Sequence, residues 1–279
     1  MRGRIFSVDL DATGPPKVLG VEHLPILDLG EPGAFDADGV NPSQIVEREG
    51  RLFLYYIGWK RGPAQTPYTL FTGLAVSEDA GISFHRYSSA PILPPVHRED
   101  YFRTAPHVFW SGDCWRMLYI GGGQFISGAA GKRLPVYSLR QAVSIDGINW
   151  QAASHELREP SRRDGEIGFG RPVLWHDVAG NPALLLSVRT ESGYTLSEIG
   201  LTPDGQIRSR EVLPRSERGW DSEMICFGAP CTVGDRELLL YNGNQFGRGG
   251  FGIASRRRVS GVRDNVAPLL QRLQDSAET

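Results

Sequence analysis

Cysteine is scarce: the chain has three, Cys114, Cys226 and Cys231, in 279 residues. An odd number without metal-ligand spacing argues against a disulfide framework and points to a reducing compartment. No apolar run approaches the length of a membrane span. The opening Met1-Arg-Gly-Arg-Ile-Phe-Ser-Val-Asp has no apolar core of a signal peptide, so a cytoplasmic setting is expected. Charge of one sign is also missing. Lys and Arg total 30 against 32 Asp and Glu, a net charge of −2, which gives no reason to expect nucleic acid or an anionic membrane as partner. There is no Gly-x-Ser-x-Gly elbow and no His/Cys cluster for zinc. Gly121-Gly-Gly123 and Gly247-Arg-Gly-Gly250 lack the strand-to-helix setting of a phosphate loop, and they read as hairpin loops. No cofactor and no metal is called for, and a calcium ion in a channel is left undecided.

Turn formers are plentiful, with 34 Gly and 19 Pro, as many short strands require. Four segments share one layout. A proline heads an apolar strand at Pro42, Pro106, Pro172 and Pro230. After a short polar turn a second strand follows: Leu52-Phe-Leu-Tyr-Tyr-Ile-Gly58, Trp115-Arg-Met-Leu-Tyr-Ile-Gly121, Leu184-Leu-Leu-Ser-Val-Arg189 and Leu238-Leu-Leu-Tyr-Asn-Gly243. A third begins near Gly73, Leu139, Tyr194 and Gly250. Three repeats then carry a turn and a short fourth strand, at Glu78–Phe84, Ile145–Trp150 and Thr202–Ile207. Asp-Gly between extended segments marks a hairpin because glycine supplies positive φ.

The prolines lie 64, 66 and 58 residues apart. Four strands at a period near sixty fit the blades of an all-β propeller; a β-sandwich with irregular hairpins is the alternative. The N-terminal residues supply the material for a fifth blade, as strands at Arg4–Leu10, Lys17–Val21 and Pro25–Gly30, beside the fourth unit. The expected architecture is therefore a five-bladed β-propeller of antiparallel four-stranded blades. It forms one domain over residues 1–258, followed by a tail over 259–279. Leu269, Leu270 and Leu273 give that tail a short amphipathic helix, placed to cover an edge or to contact a second chain as a homodimer.

This layout resembles the five-bladed β-propeller glycosidase superfamily: the arabinanases and β-xylosidases, the invertases and levansucrases, and the β-mannoside phosphorylases. Phe35-Asp-Ala-Asp-Gly-Val-Asn-Pro-Ser43, Tyr55-Tyr-Ile-Gly-Trp-Lys-Arg61, Gly219-Trp-Asp-Ser-Glu-Met-Ile-Cys226 and Tyr241-Asn-Gly-Asn244 more closely resemble a group of bacterial propeller proteins associated with surface-polysaccharide genes. The resemblance spans roughly residues 3 to 256. It implies a propeller and sugar chemistry, but the key positions differ. The arabinanase branch has a basic Asp before the Pro-Ser of the first blade, an Asp after the second blade's proline, and an acidic Glu before the third blade's proline. Here those places hold Asn41, His107 and Arg171, so the usual pair of carboxylates cannot be transferred.

Other acids cluster at the blade entrances. Asp36 and Asp38, and likewise Asp221 and Glu223, sit at i, i+2 spacing, which puts both members on one face of an extended strand. With His107 they are the candidates for acid–base or nucleophilic work. Each has a bland alternative: a turn for the first pair, a salt bridge for the second, a core position for the histidine. Arg61, Arg103, Arg171 and Arg189, with Glu166, Asn242 and Asn244, are candidates for holding substrate. Four arginines near one mouth favour an anionic ligand. Tyr56, Trp59, Tyr137 and Trp220 are candidate stacking faces for a sugar ring, with core packing as the alternative. The reading is a carbohydrate-active enzyme, glycoside hydrolase-like or glycosyl-transferring, acting on a sugar or an anionic sugar conjugate. Its rivals are a non-catalytic carbohydrate-binding propeller and a propeller enzyme recruited to a biosynthetic tailoring step on a non-sugar substrate.

Overall fold

A computed structural model describes residues 3–277 of the chain. The chain divides into two compact units. One comprises Met1–Val136 and Arg140–Ser154, the other Tyr137–Leu139 and His155–Thr279.

In the first unit β1 (Val8–Asp11) and β2 (Lys17–Val21) form a two-stranded antiparallel sheet. The first repeat follows as β3 (Gly39–Arg48), β4 (Arg51–Arg61), β5 (Tyr68–Ser77) and β6 (His85–Arg86), each antiparallel to the last. The second is β7 (Phe102–Trp110), β8 (Trp115–Ser127), β9 (Arg133–Ser144) and β10 (Gln151–Ala152). A short parallel contact, Leu70 to Phe102 and Phe71 to Arg103, joins the two repeats.

The second unit holds β11 (Gly168–His176), β12 (Pro182–Arg189), β13 (Tyr194–Leu201) and β14 (Ile207–Glu211), then β15 (Cys226–Val233), β16 (Arg236–Asn242) and β17 (Phe251–Arg257). A C-terminal helix follows, Ala267–Ala277, and its Leu269, Leu270 and Leu273 are buried. None of the helices is long and apolar enough to cross a membrane among the described residues.

The continuous apolar runs of the second strands have a simple cause. Along β4, Phe53 and Tyr55 pack into one cluster with Leu74, Val108, Met117 and Tyr119, whereas Leu54 and Tyr56 pack into another with Val40, Phe71 and Ala75. Side chains alternate between faces, and both faces are covered, so alternation disappears from the sequence. Each such side chain contributes about 1.5–3 kcal/mol by burial.

The turns before the fourth strands are closed by side chains. In the first, the Ser77 hydroxyl accepts from the Gly81 amide at 2.8 Å, and Asp79 accepts from the Ser83 amide at 3.0 Å. In the second, Ser144 Oγ accepts from Gly147 at 2.9 Å, and Asp146 accepts from the amides of Ile148 and Asn149. These residues bond their own backbone, so the fourth strands begin after them, at His85, Gln151 and Ile207, later than the sequence suggests.

Three further expectations need correcting. The extended N-terminal segments shrink: only Val8–Asp11 of the first is a strand, and Pro25–Gly30 contributes only the isolated bridge of Leu27 to Ile5. Gly121–Gly123 is not a loop but part of β8. There a Cβ at Gly121 would lie 2.5 Å from Arg140 Cδ, and one at Gly122 would lie 2.3 Å from the Val136 carbonyl oxygen.

The prolines also mark the repeats imperfectly. The strand pairing aligns Asn41, Thr104, Gly170 and Cys226, which face Ile57, Ile120, Ser187 and Asn242. A bulge follows in each repeat. Pro106 and Pro172 then correspond, but Pro42 falls one place early and Pro230 two places late. The residue just after the aligned position has positive φ in three repeats: Ala105 at 53°, Arg171 at 49° and Phe227 at 57°. In the first repeat that place is Pro42, whose ring forbids positive φ.

Within the first unit, the Tyr55 hydroxyl donates to the Gly147 carbonyl at 2.7 Å and so ties β4 to the turn of the second repeat. Burial raises the phenol well above its ordinary range, so the hydroxyl remains a donor at any working pH. Tyr55→Phe is expected to lower the unfolding free energy by about 1–2 kcal/mol in urea titrations, because a buried carbonyl loses its partner.

Candidate functional site

The acids at the repeat entrances have two different fates. Asp36 is 1% exposed. Its Oδ2 accepts from the Tyr56 hydroxyl at 2.9 Å and from Arg86 Nε at 2.8 Å. Burial and the Asp36 charge together push the Tyr56 phenol above its ordinary range. The second repeat does the same with Glu99, whose Oε2 accepts from the Tyr119 hydroxyl and from Arg103 Nε, both at 2.9 Å, while Arg140 approaches Oε1 at 3.2 Å. In the fourth repeat the Tyr241 hydroxyl donates to Asp221 Oδ2 at 3.2 Å.

The three tyrosines occupy one place in the strand pairing, each just before the residue facing Asn41, Thr104 or Cys226. The three acids each stand five residues before those positions: 36 and 41, 99 and 104, 221 and 226. The third repeat has Leu186 at the tyrosine place. There Glu166, four residues before Gly170, accepts instead from Arg158 Nη2 at 2.9 Å and from the Ser161 amide at 2.8 Å. Asp36, Glu99 and Asp221 therefore form one recurring device, a buried carboxylate that latches the chain to its own sheet as it enters the repeat, whereas the buried Glu166 ties to the segment that leads into the third repeat. Arg103 belongs to the same device. Glu99, Arg86, Arg140 and Arg158 escaped the sequence reading. With the bulge positions aligned, Glu99 falls at the same five-residue offset as Asp36 and Asp221, whereas the arginines share no spacing.

The second member of each pair lies outward. Asp38 is half-buried; it accepts from the Arg61 backbone amide at 3.0 Å, and Arg61 Nε stands 3.6 Å from its Oδ1. Arg61 is exposed and lies over the Trp59 ring at 5.7 Å. Trp59 begins a row of aromatic rings. Tyr68 is 6.4 Å away, Phe125 is 5.4 Å from Tyr68, and Phe102 and Tyr101 complete the cluster. A cavity of about 330 Å³ opens at its far end, lined by Gln65, Thr66, Tyr101, Gly123, Gln124, Phe125 and Arg133. All of this lies in the first unit, and of the cavity residues the sequence singled out Gly123 alone, as part of a glycine-rich loop.

Tyr56, by contrast, is fully buried and offers no stacking face. His107, on β7, is tilted against Phe109 with ring centroids 6.1 Å apart. Desolvation holds its imidazole down to about 4, so it is neutral near pH 7.

In the second unit Glu223 is exposed, and its backbone amide donates to Asn244 Oδ1 at 2.8 Å. Asn244 also accepts from the Met224 amide and donates to the Gly219 carbonyl, which pins the loop that carries Trp220. Trp220 is 41% exposed and stacks on Tyr241 at 5.5 Å. Asn242 packs beneath Gly247. Gln245 and Phe246 both adopt left-handed backbone, at φ 53° and 61°, a strained arrangement for residues other than glycine. Phe246 stacks on Phe227 at 6.2 Å. Arg189 is buried, donates to the Tyr194 hydroxyl at 3.1 Å and lies over that ring. Burial lowers the Arg171 guanidinium to about 10 and raises the neighbouring Cys226 thiol to about 12. Tyr137 is buried against Gly168, where it lacks a free face. The positive φ of Arg171 recurs at Ala105 and Phe227, so it belongs to the bulge and not to one special centre. No cluster of three or more His, Cys, Asp or Glu residues suited to a metal occurs among the described residues.

No protein-family model matches the chain. A curated relative does. Uncharacterized protein Rv1502 of Mycobacterium tuberculosis (strain H37Rv) is 30% identical over 264 residues, which cover 91% of this chain and 83% of the relative. The chain belongs to the same family as that protein. Among solved structures, one described as a glycoside hydrolase matches with a TM-score of 0.62 at 18% identity, covering 89% of this chain and 77% of that one. An α-L-arabinofuranosidase from Lactobacillus brevis matches with 0.59 at 11% identity over 87% and 77%. The GH32 β-fructofuranosidase BmSUC1 of Bombyx mori matches with 0.57 at 18% over 85% of this chain and 50% of that one. At such identities the likeness establishes the fold alone: this member of the Rv1502 family is nearly all-β and shares its fold with these glycoside hydrolases.

The two fates of the acids have measurable consequences. Asp36→Ala strands Tyr56 and Arg86 without their acceptor and is expected to cost roughly 3 kcal/mol of stability, whereas Asp38→Ala, which removes a half-exposed pair, costs at most about 1 kcal/mol. Denaturant titrations of the two variants, side by side, decide this. His107 gives a pH signature. Its folded value lies below the unfolded one, so the unfolded chain binds the extra proton and stability falls as pH drops from about 6.5 toward 4. His107→Gln is expected to flatten the dependence of melting temperature on pH in that window.

Proposed function

We propose that the chain is a carbohydrate-active five-bladed β-propeller that acts on a sugar or an anionic sugar conjugate. In this reading Asp38 is the reactive acid of the first unit and Glu223 its counterpart in the second. The blades are the two-stranded β1–β2 sheet and the four repeats, together a single propeller domain over residues 1–258. The fold shared with glycoside hydrolases supports the substrate class. The observation that carries the chemistry is the division of the acids. Asp36, Glu99, Glu166 and Asp221 are consumed in buried latches, which leaves Asp38 outward, held by Arg61 against the face of Trp59. A carboxylate beside a cation and a half-buried indole is an arrangement a glycosyl group can use. The cation holds a charged substituent, the indole adds apolar surface, and the carboxylate transfers a proton or attacks the anomeric carbon.

A second reading, a propeller that binds sugar without turning it over, draws on a specific feature. Asn41, His107 and Arg171 hold no carboxylate at the three places where the resemblance to arabinanases would put one, and His107 is neutral at physiological pH.

The two readings separate in one experiment. The purified chain is incubated with acidic and neutral oligosaccharides, and anomeric protons are followed by NMR while binding is followed by thermal shift. The enzymatic reading expects turnover that falls at least 100-fold in Asp38→Asn with the melting curve unchanged. Turnover that survives in both Asp38→Asn and Glu223→Gln would remove the two acids from the chemistry. Melting shifts without turnover in the wild type would favour binding alone.

A further inference from the structure

The cavity at the end of the aromatic row has a more definite chemistry than the site beside Asp38. Its walls come from two places. Gln65 and Thr66 lie on the turn between β4 and β5, which is closed by the Gly62 amide donating to the Pro67 carbonyl and the Thr66 amide donating to the Pro63 carbonyl, both at 3.0 Å. Gly123, Gln124 and Phe125 lie on the far half of β8, opposite Arg133 at the start of β9. Tyr101 is fixed through its backbone carbonyl, which accepts from the Leu70 amide at 2.9 Å. Tyr101 and Phe125 present aromatic carbon, and Gln65, Thr66 and Gln124 present hydrogen-bonding groups of both kinds.

Arg133 is the charged residue of the lining. Its guanidinium is held from behind, Nη2 donating to the Phe125 carbonyl at 2.7 Å and Nη1 to Ser127 Oγ at 3.1 Å. Its Nε is buried and has no hydrogen-bond partner among the described residues. Both acceptors of the guanidinium are neutral, so they leave the positive charge uncompensated and available to an anion in the cavity.

We infer that this cavity is a subsite for a sugar ring bearing an anionic group, a carboxylate or a phosphate ester. The ring lies against Tyr101 and Phe125, its hydroxyls meet Gln65, Thr66 and Gln124, and its charge is turned to Arg133. The inference rests on the carbohydrate reading above and adds a specificity element to it. Ring contacts run from Trp59 through Tyr68 to Phe125, so the cavity and Asp38 stand at the two ends of one aromatic cluster.

The test is calorimetric titration of the full-length chain with a glucuronic-acid-containing disaccharide, with glucose 6-phosphate and with cellobiose. The wild type is expected to bind at least one anionic ligand tenfold more tightly than cellobiose. Arg133→Met is expected to erase that preference, and Arg133→Lys to retain part of it. Gln65→Trp, on the exposed turn, is expected to block the cavity while leaving the denaturant midpoint unchanged, which guards against a misfolded Arg133 variant. The ligand that keeps the preference tells carboxylate from phosphate. Equal binding of cellobiose and the anionic ligands, or a preference that survives both Arg133→Met and Gln65→Trp, overturns the subsite while leaving the sugar reading standing. Absence of binding by any of the three ligands overturns both.

Discussion

A buried carboxylate at the head of each repeat is the constraint on which this structure depends. An ionised acid cannot be taken out of water without partners. Each one here has a nearby partner: a tyrosine of its own repeat in the first, second and fourth, joined by an arginine in the first two, and Arg158 of the preceding segment in the third. The chain thus approaches every sheet in a fixed way. The strands that follow are buried on both faces and need that fixed approach, because a slip of one residue would exchange the two sets of packed side chains.

The repeat layout was legible because its cause is local. Second strands covered on both faces appear as unbroken apolar runs, and turns closed by Ser77 with Asp79, or by Ser144 with Asp146, appear as polar interruptions. What misled was proline. Proline marks where the chain is bent near the bulge, but the bulge tolerates it at more than one place, as Pro42 and Pro230 demonstrate. Pairing register, which no single sequence displays, sets the true correspondence.

The candidate site was legible only in part, for a similar reason. Spacing of two residues correctly identifies acids that leave an extended chain on one side, yet it cannot say which of them meets a tyrosine and an arginine from distant strands. Asp36 and Asp38 differ in fate because Arg86, fifty residues on, reaches only the first. The cavity was invisible for a stronger reason. Gln65, Gln124 and Arg133 carry no pattern of their own; hairpins that extend beyond the sheet bring them together.

The cavity touches the glycine run of β8 at Gly123, where an added Cβ would lie 2.8 Å from the Arg98 carbonyl oxygen. Its polar walls stand on a turn and on a strand tip outside the packed clusters. A side chain is therefore shut out at position 123, whereas positions 65, 66 and 124 can change without disturbing the packed strands.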